Sequence, residues 1–171
     1  MNNAYAIKKG ILIGLFTMIT GILGGCYSFQ GASIPPDVNT YSVDFFLNRA
    51  ATVNPKLSQI VTEKLKDKMN NTRLNFVREN GDFSFSGAII AYTVAPIAVQ
   101  DNANASKNRL TITVNVKFVC PKHPESNFSS DFSAFEDLDA TKNLSSLEST
   151  LVSTITDQLI QEIFNKAAVN W

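Results

Sequence analysis

The sequence predicts an α+β domain: two helices packed on one face of a mainly antiparallel, four-stranded sheet, in the order strand, helix, run of strands, helix. Three observations carry this. From Arg109 to Val119 the chain alternates strictly, with Leu110, Ile112, Val114, Val116 and Phe118 facing one way and Arg109, Thr111, Thr113, Asn115 and Lys117 the other. Such a strand has one buried and one wet face, as in an antiparallel sheet covered on a single side. Two segments, one before the run of strands and one after it, keep a helical period instead. No internal repeat and no second domain interrupt this order, and the length suits one core.

In chain order, Tyr41, Val43 and Phe45 alternate with Ser42 and Asp44, predicting a first strand. Asn54-Pro55 then reads as a helix start, with an Asn cap and Pro at the first helical position. Leu57, Ile60, Val61, Leu65 and Met69 form its apolar stripe, with Lys56, Glu63, Lys66 and Asp67 on the other side. A short strand is expected at Leu74–Val77 and a long one at Asp82–Val99, where Gly87 suggests a bulge and Pro96 an edge. The Asn- and Ala-rich stretch 100–108 reads as a hairpin loop leading to the Arg109–Val119 strand. After the turn Pro121-Lys122-His123-Pro124, a fourth strand is expected over about Phe128 to Phe135. Ser145 with Glu148 three residues on announces the last helix as a capping box. Its stripe is Leu144, Leu147, Leu151, Ile155, Leu159, Ile163 and Ala167, widened by Val152, Ile160 and Phe164.

Ahead of this body lies a leader. Lys8 and Lys9 precede an apolar run from Ile11 to about Leu23, which is as long as a secretory core and short for a membrane span. It ends in Leu23-Gly24-Gly25-Cys26, which resembles the lipobox of bacterial lipoproteins. Small residues let the extended chain enter a peptidase cleft, and the thiol takes the diacylglycerol. The expectation is a signal peptide over residues 1–25, an acylated Cys26, a tether over 26–39 stiffened by Pro35-Pro36, and one domain over 40–171.

The inventory argues against catalysis, and no cofactor or metal is expected. His123, the single histidine, lies in a turn and reads as solvated. There is no nucleophile elbow, phosphate-binding glycine loop or paired metal motif. Asp131, Glu136, Asp137 and Asp139 lack the spacing of a calcium loop. With 15 basic and 15 acidic residues overall, two of the lysines in the leader, no nucleic-acid partner is implied. Cys120, left without an internal partner, reads as a small buried thiol or, on the odd count, as half of an intermolecular disulfide. Two readings of the aromatic-rich strand Asp82–Val99 stay open. Phe83 and Phe85 face one way and Ile90, Tyr92 and Val94 the other, needing a second cover; or a shift at Gly87 puts both sets on one core face. Arg109 and Lys117 read as an ordinary polar face, or as cations for the phosphates of an anionic lipid.

A family resemblance rests on Gly25-Cys26-Tyr27-Ser28-Phe29, Gly31-Ala32-Ser33-Ile34-Pro35-Pro36-Asp37-Val38, Asn54-Pro55-Lys56-Leu57-Ser58, the strand Asn108–Val116 and the tail Ile163–Trp171. Together these segments resemble the lipopolysaccharide-assembly lipoproteins called LptE, in their Bacteroidota form. The resemblance implies a non-enzymatic plug and assembly partner of the outer-membrane barrel LptD, with lipopolysaccharide as a further partner and Arg109 and Lys117 as candidate contacts. It also implies an outer-membrane address facing the periplasm or the barrel lumen, consistent with Tyr27, rather than Asp, after the cysteine. The alternative is a stand-alone envelope lipoprotein that binds a small amphiphile or cell-wall component between helices and sheet.

Overall fold

The computed structural model describes residues 34–52, 54–97 and 107–169, all of them in one compact unit. Its elements are β1 (Thr40–Val43), β2 (Leu47–Asn48), α1 (Leu57–Asn70), β3 (Asn75–Phe76), β4 (Phe83–Ile97), β5 (Lys107–Val119), a 3-10 turn (Pro124–Ser126), β6 (Phe128–Asp139) and α2 (Leu144–Ala168). The class is α+β as predicted, but the sheet has six strands and is mixed. It runs β3-β1-β4-β5-β6, with β2 also on β4. β1, β2 and β3 pair in parallel, and only β4, β5 and β6 are antiparallel. The reason is α1, a helical crossover that carries the chain back to the end where β1 began, so the next strand enters beside β1 in the same direction.

The loop from β3 to β4 must then pass over the start of β1. Gly81 makes this possible: a Cβ there would lie 2.5 Å from the Ser42 nitrogen and the Tyr41 carbonyl carbon. Asn80 before it has φ 55°, a left-handed backbone that Asn tolerates better than most side chains.

The predicted alternation of the first strand breaks after Val43. Val43 pairs with Phe85 and Leu47 with Ala88, so three residues of β1–β2 oppose two of β4. This bulge turns Phe45 out to 58 % exposure and sends Phe46 fully into the core, the reverse of the expected facing. Thr62 Oγ1 accepts from the freed Phe46 N–H at 3.1 Å. The Phe46 ring lies over Gly87, where a Cβ would stand 2.8 Å from it and 2.1 Å from the Asn115 carbonyl oxygen. Gly87 is therefore a point of close approach, and the β4 bulge falls at Ile90 instead. That shift settles the aromatic question: Phe83, Phe85, Ile89 and Tyr92 are all buried in one core, while Val94, opposite the buried Leu110, is left 42 % exposed. The half-exposed Ile90 is the extra residue.

Both helices cover one sheet face, as predicted. α1 buries Leu57, Val61, Leu65 and Met69, and α2 buries Val152, Ile155, Leu159, Ile160, Ile163 and Phe164. They run side by side in the same direction, joined by Lys64 to Asp157 at 2.7 Å and Lys68 to Gln161 at 2.7 Å. Both helix starts differ in detail. α1 begins at Leu57, and Asn54 caps the turn ahead of it by accepting from the Lys56 N–H. α2 is capped by Asn143, whose Oδ1 accepts from Ser145 N–H at 3.0 Å. Glu148 is thereby released from the capping box and instead accepts from Tyr92 Oη at 2.6 Å and Asn54 Nδ2 at 2.9 Å.

Register also fixes which backbone groups face outward. Phe85 and Ile89 carbonyls accept from Asp44 and Arg49 N–H on the β1–β2 side, so the even residues 84–88 point to β5. Alternation across the regular β5–β6 ladder then turns the even residues of β6 toward β5 and the odd ones toward its free edge.

Candidate functional site

The face of β4, β5 and β6 opposite the helices carries the two basic residues singled out above. By register, β4 contributes Ser86, Ala88, Thr93 and Ala95, β5 the Arg109 to Lys117 series, and β6 Ser129, Asp131, Ser133, Phe135 and Asp137. The result is a surface of mostly small and polar side chains tied by cross-strand bonds. Thr113 and Ser133 hydroxyls meet at 3.0 Å, and Asn115 Nδ2 donates to Asp131 at 2.6 Å.

Arg109 and Lys117 share this face but not a site. Eight residue steps of strand separate them, roughly 27 Å. Arg109 is engaged already: Nε and Nη2 donate to the two Asp137 oxygens at 2.7 and 3.0 Å, and its guanidinium lies 3.7 Å from the Phe135 ring centroid. The pairing raises the Arg109 pKa and lowers that of Asp137. Lys117 is exposed, stands between Ser86 and Ser129, and has no ion pair among the described residues. Of the two cations, Lys117 is the one free to meet a new anion.

A second charged cluster holds residues 34–39 against the domain. Arg73 donates to the carbonyls of Val38 at 2.7 Å, Ile34 at 3.3 Å and Pro35. Asp82 accepts from Asn39 and Thr40 N–H at 2.8 and 3.1 Å and meets Lys122 at 2.8 Å. The Lys122 bond first, and the Asn39 N–H next, pull the Asp82 carboxyl down to about 2. His123 lies 3.1 Å from Asp37 and 3.5 Å from Glu125, and the Asp37 bond raises its pKa. Val38 is fully buried beneath these contacts. Sequence reasoning missed this clamp, because Asp37, Asp82 and Lys122 are far apart in the chain. His123 thus locks a loop, with its ring turned to the carboxylates of Asp37 and Glu125.

Cys120 is buried, and burial pushes its thiol pKa up, as suits a small apolar side chain. Among the described residues no group of His, Cys, Asp and Glu is placed to hold a metal, and no helix is long and apolar enough to cross a membrane. The acidic residues of β6 are spread along a strand and tied to Arg109, Asn115 and Gln158. A cavity of about 520 Å³ between the helix starts is open and rimmed by Asn54, Lys56, Ser145, Glu148 and Ser149. Cys26 and the signal-peptide residues lie outside the described residues.

Among solved structures the chain is similar to a minor lipoprotein from Acinetobacter baumannii, at 14 % identity and a TM-score of 0.52, over 75 % of this chain and 91 % of that one. A hypothetical protein from Chlamydia trachomatis is similar at 11 % identity and a TM-score of 0.54, over 75 % and 94 %. At such identities the likeness concerns the fold alone. No curated protein matches in sequence. The family model for LptE, lipopolysaccharide-assembly, matches residues 38–167, the whole span from the buried Val38 to the last turn of α2. The chain therefore belongs to the LptE family of non-enzymatic lipopolysaccharide-assembly lipoproteins.

Proposed function

We propose that this protein is the lipoprotein subunit of an outer-membrane lipopolysaccharide translocon, acting as plug and assembly partner of an LptD-like β-barrel. Cleavage after Gly25 and acylation of Cys26 would tether it to the membrane, with the domain facing the periplasm or the barrel lumen. The family match over residues 38–167 carries this reading. The sheet face that no described helix covers supports it, since its small and hydroxyl side chains suit a close-fitting polar wall. Lipopolysaccharide would be met through phosphate, and Lys117 is the better placed contact. Arg109 would have to exchange Asp137 for the ligand, or hold both.

Two measurements test the reading. Depletion of the protein in its native cell is expected to lower lipopolysaccharide at the cell surface, and an unchanged surface level would refute the role. In direct binding to lipid A, Lys117→Glu is expected to weaken affinity by about tenfold, equivalent to about 1.4 kcal/mol. Arg109→Glu is expected to weaken it less. Unchanged affinity in both variants removes these residues from the lipid contact while leaving the barrel partnership to its own test.

A further inference from the structure

β6 is the longest free edge among the described residues. It has β5 on one side and no described strand on the other. The backbone N–H and C=O of Asp131, Ser133, Phe135 and Asp137 point outward there, and no described residue bonds them. An open edge of this length is a template for another strand. Beside it lies a groove of about 430 Å³, between the edge and α2, lined by residues that include Glu136, Gln158 and Glu162. The groove is acidic on its helix side: Gln158 is hydrogen-bonded to Glu136 at 2.9 Å, and neither Glu136 nor Glu162 has an ion pair among the described residues. On the outer side, Phe135 is 46 % exposed, and Asp137 is already neutralised by Arg109.

We propose that the free edge of β6 is a strand-addition site for an extended, cation-bearing segment of a partner polypeptide. The occupant alternates, with Lys or Arg toward Glu136 and Glu162 and apolar side chains over Phe135. Main-chain bonds supply affinity and the alternate side chains supply selectivity. The same carboxylates disfavour a second copy of this chain, since edge-to-edge pairing would bring the two acidic grooves together. Lys166 closes the Phe128 end, with Nζ 2.7 Å from Ser130 Oγ and 4.8 Å from the Phe128 ring centroid. The seat therefore runs from about Asp131 to Asp137.

The test uses the purified full-length protein and a synthetic peptide of about ten residues, long enough for the strand, alternating lysine with valine. A counterpart carries glutamate for lysine. Hydrogen exchange at Asp131, Ser133, Phe135 and Asp137 amides is expected to slow by about tenfold or more with the lysine peptide, and to be unchanged with the glutamate peptide. Glu136→Lys with Glu162→Lys is expected to reverse that preference. Ser133→Pro removes an outward N–H without touching the β5 ladder and is expected to abolish protection. No protection, equal protection by both peptides, or a preference unmoved by the charge swap would overturn the proposal. The readout needs no barrel, so its outcome is separate from that of the translocon reading.

Discussion

Removing the Asp82 carboxylate should loosen the segment before β1 and the start of β1 together. Its three bonds, to Asn39 N–H, Thr40 N–H and Lys122, join the incoming chain to the β5–β6 turn. The fall of its pKa from 3.8 to about 2 corresponds to about 2–2.5 kcal/mol at 1.36 kcal/mol per unit. The side chain keeps 19 % exposure, and screening by water lowers this to about 1–2 kcal/mol. Asp82→Ala also leaves the two N–H groups to water, so a total near 2 kcal/mol is expected at pH 7. For a domain of this size that is a melting temperature lower by about 4–8 °C. The pH dependence has a definite sign. A carboxyl with a depressed folded pKa stabilises above its unfolded value, and that contribution fades as pH falls from about 4 toward 2. Urea unfolding followed by circular dichroism at pH 7, 4 and 3 should therefore show the gap between wild type and variant narrowing with acid. A gap below about 0.5 kcal/mol at pH 7, or one that stays constant into acid, would refute the clamp.

Gly87→Ala places a Cβ against the Asn115 carbonyl and the Phe46 ring, and should cost about 2–4 kcal/mol in chemical denaturation; a neutral substitution would contradict the close approach. Tyr92→Phe removes the hydroxyl bonded to Glu148 and should cost about 1 kcal/mol, with no loss meaning that water replaces the bond. The Tyr92 phenol itself, pushed up to about 12 chiefly by burial, should stay protonated in an ultraviolet titration through pH 10.5, and ionisation near its ordinary value would contradict the packing. His123 should titrate by NMR above its ordinary 6.5 and return toward that value in Asp37→Asn. Its pairing stabilises below the unfolded pKa and is lost as pH rises through the folded one.

The parts of the fold that were legible in the sequence are those where period and burial coincide. Leu110 to Phe118 alternate because β5 is covered by helices on one face and by no described helix on the other, and the α1 and α2 stripes follow the same logic. What escaped was set by contacts distant in the chain. The outward turn of Phe45 depends on an extra residue opposite Gly87, and the mixed sheet depends on where α1 returns the chain. Pattern alone ranks Phe45 and Phe46 by alternation and cannot see the ring-sized gap above a glycine. At the candidate site, the face of Arg109 and Lys117 was legible from alternation, whereas the capture of Arg109 by Asp137 was not, because strand register decides it.

Membership in a lipopolysaccharide-assembly family makes the barrel partnership the claim on which the functional reading turns. The most direct measurement is purification of the full-length protein from detergent-solubilised outer membranes, with every co-purifying chain identified by mass spectrometry. A large β-barrel is expected to be recovered in stoichiometric amount with the protein. Recovery of the protein as a free monomer, under conditions that keep other barrel complexes intact, would contradict it.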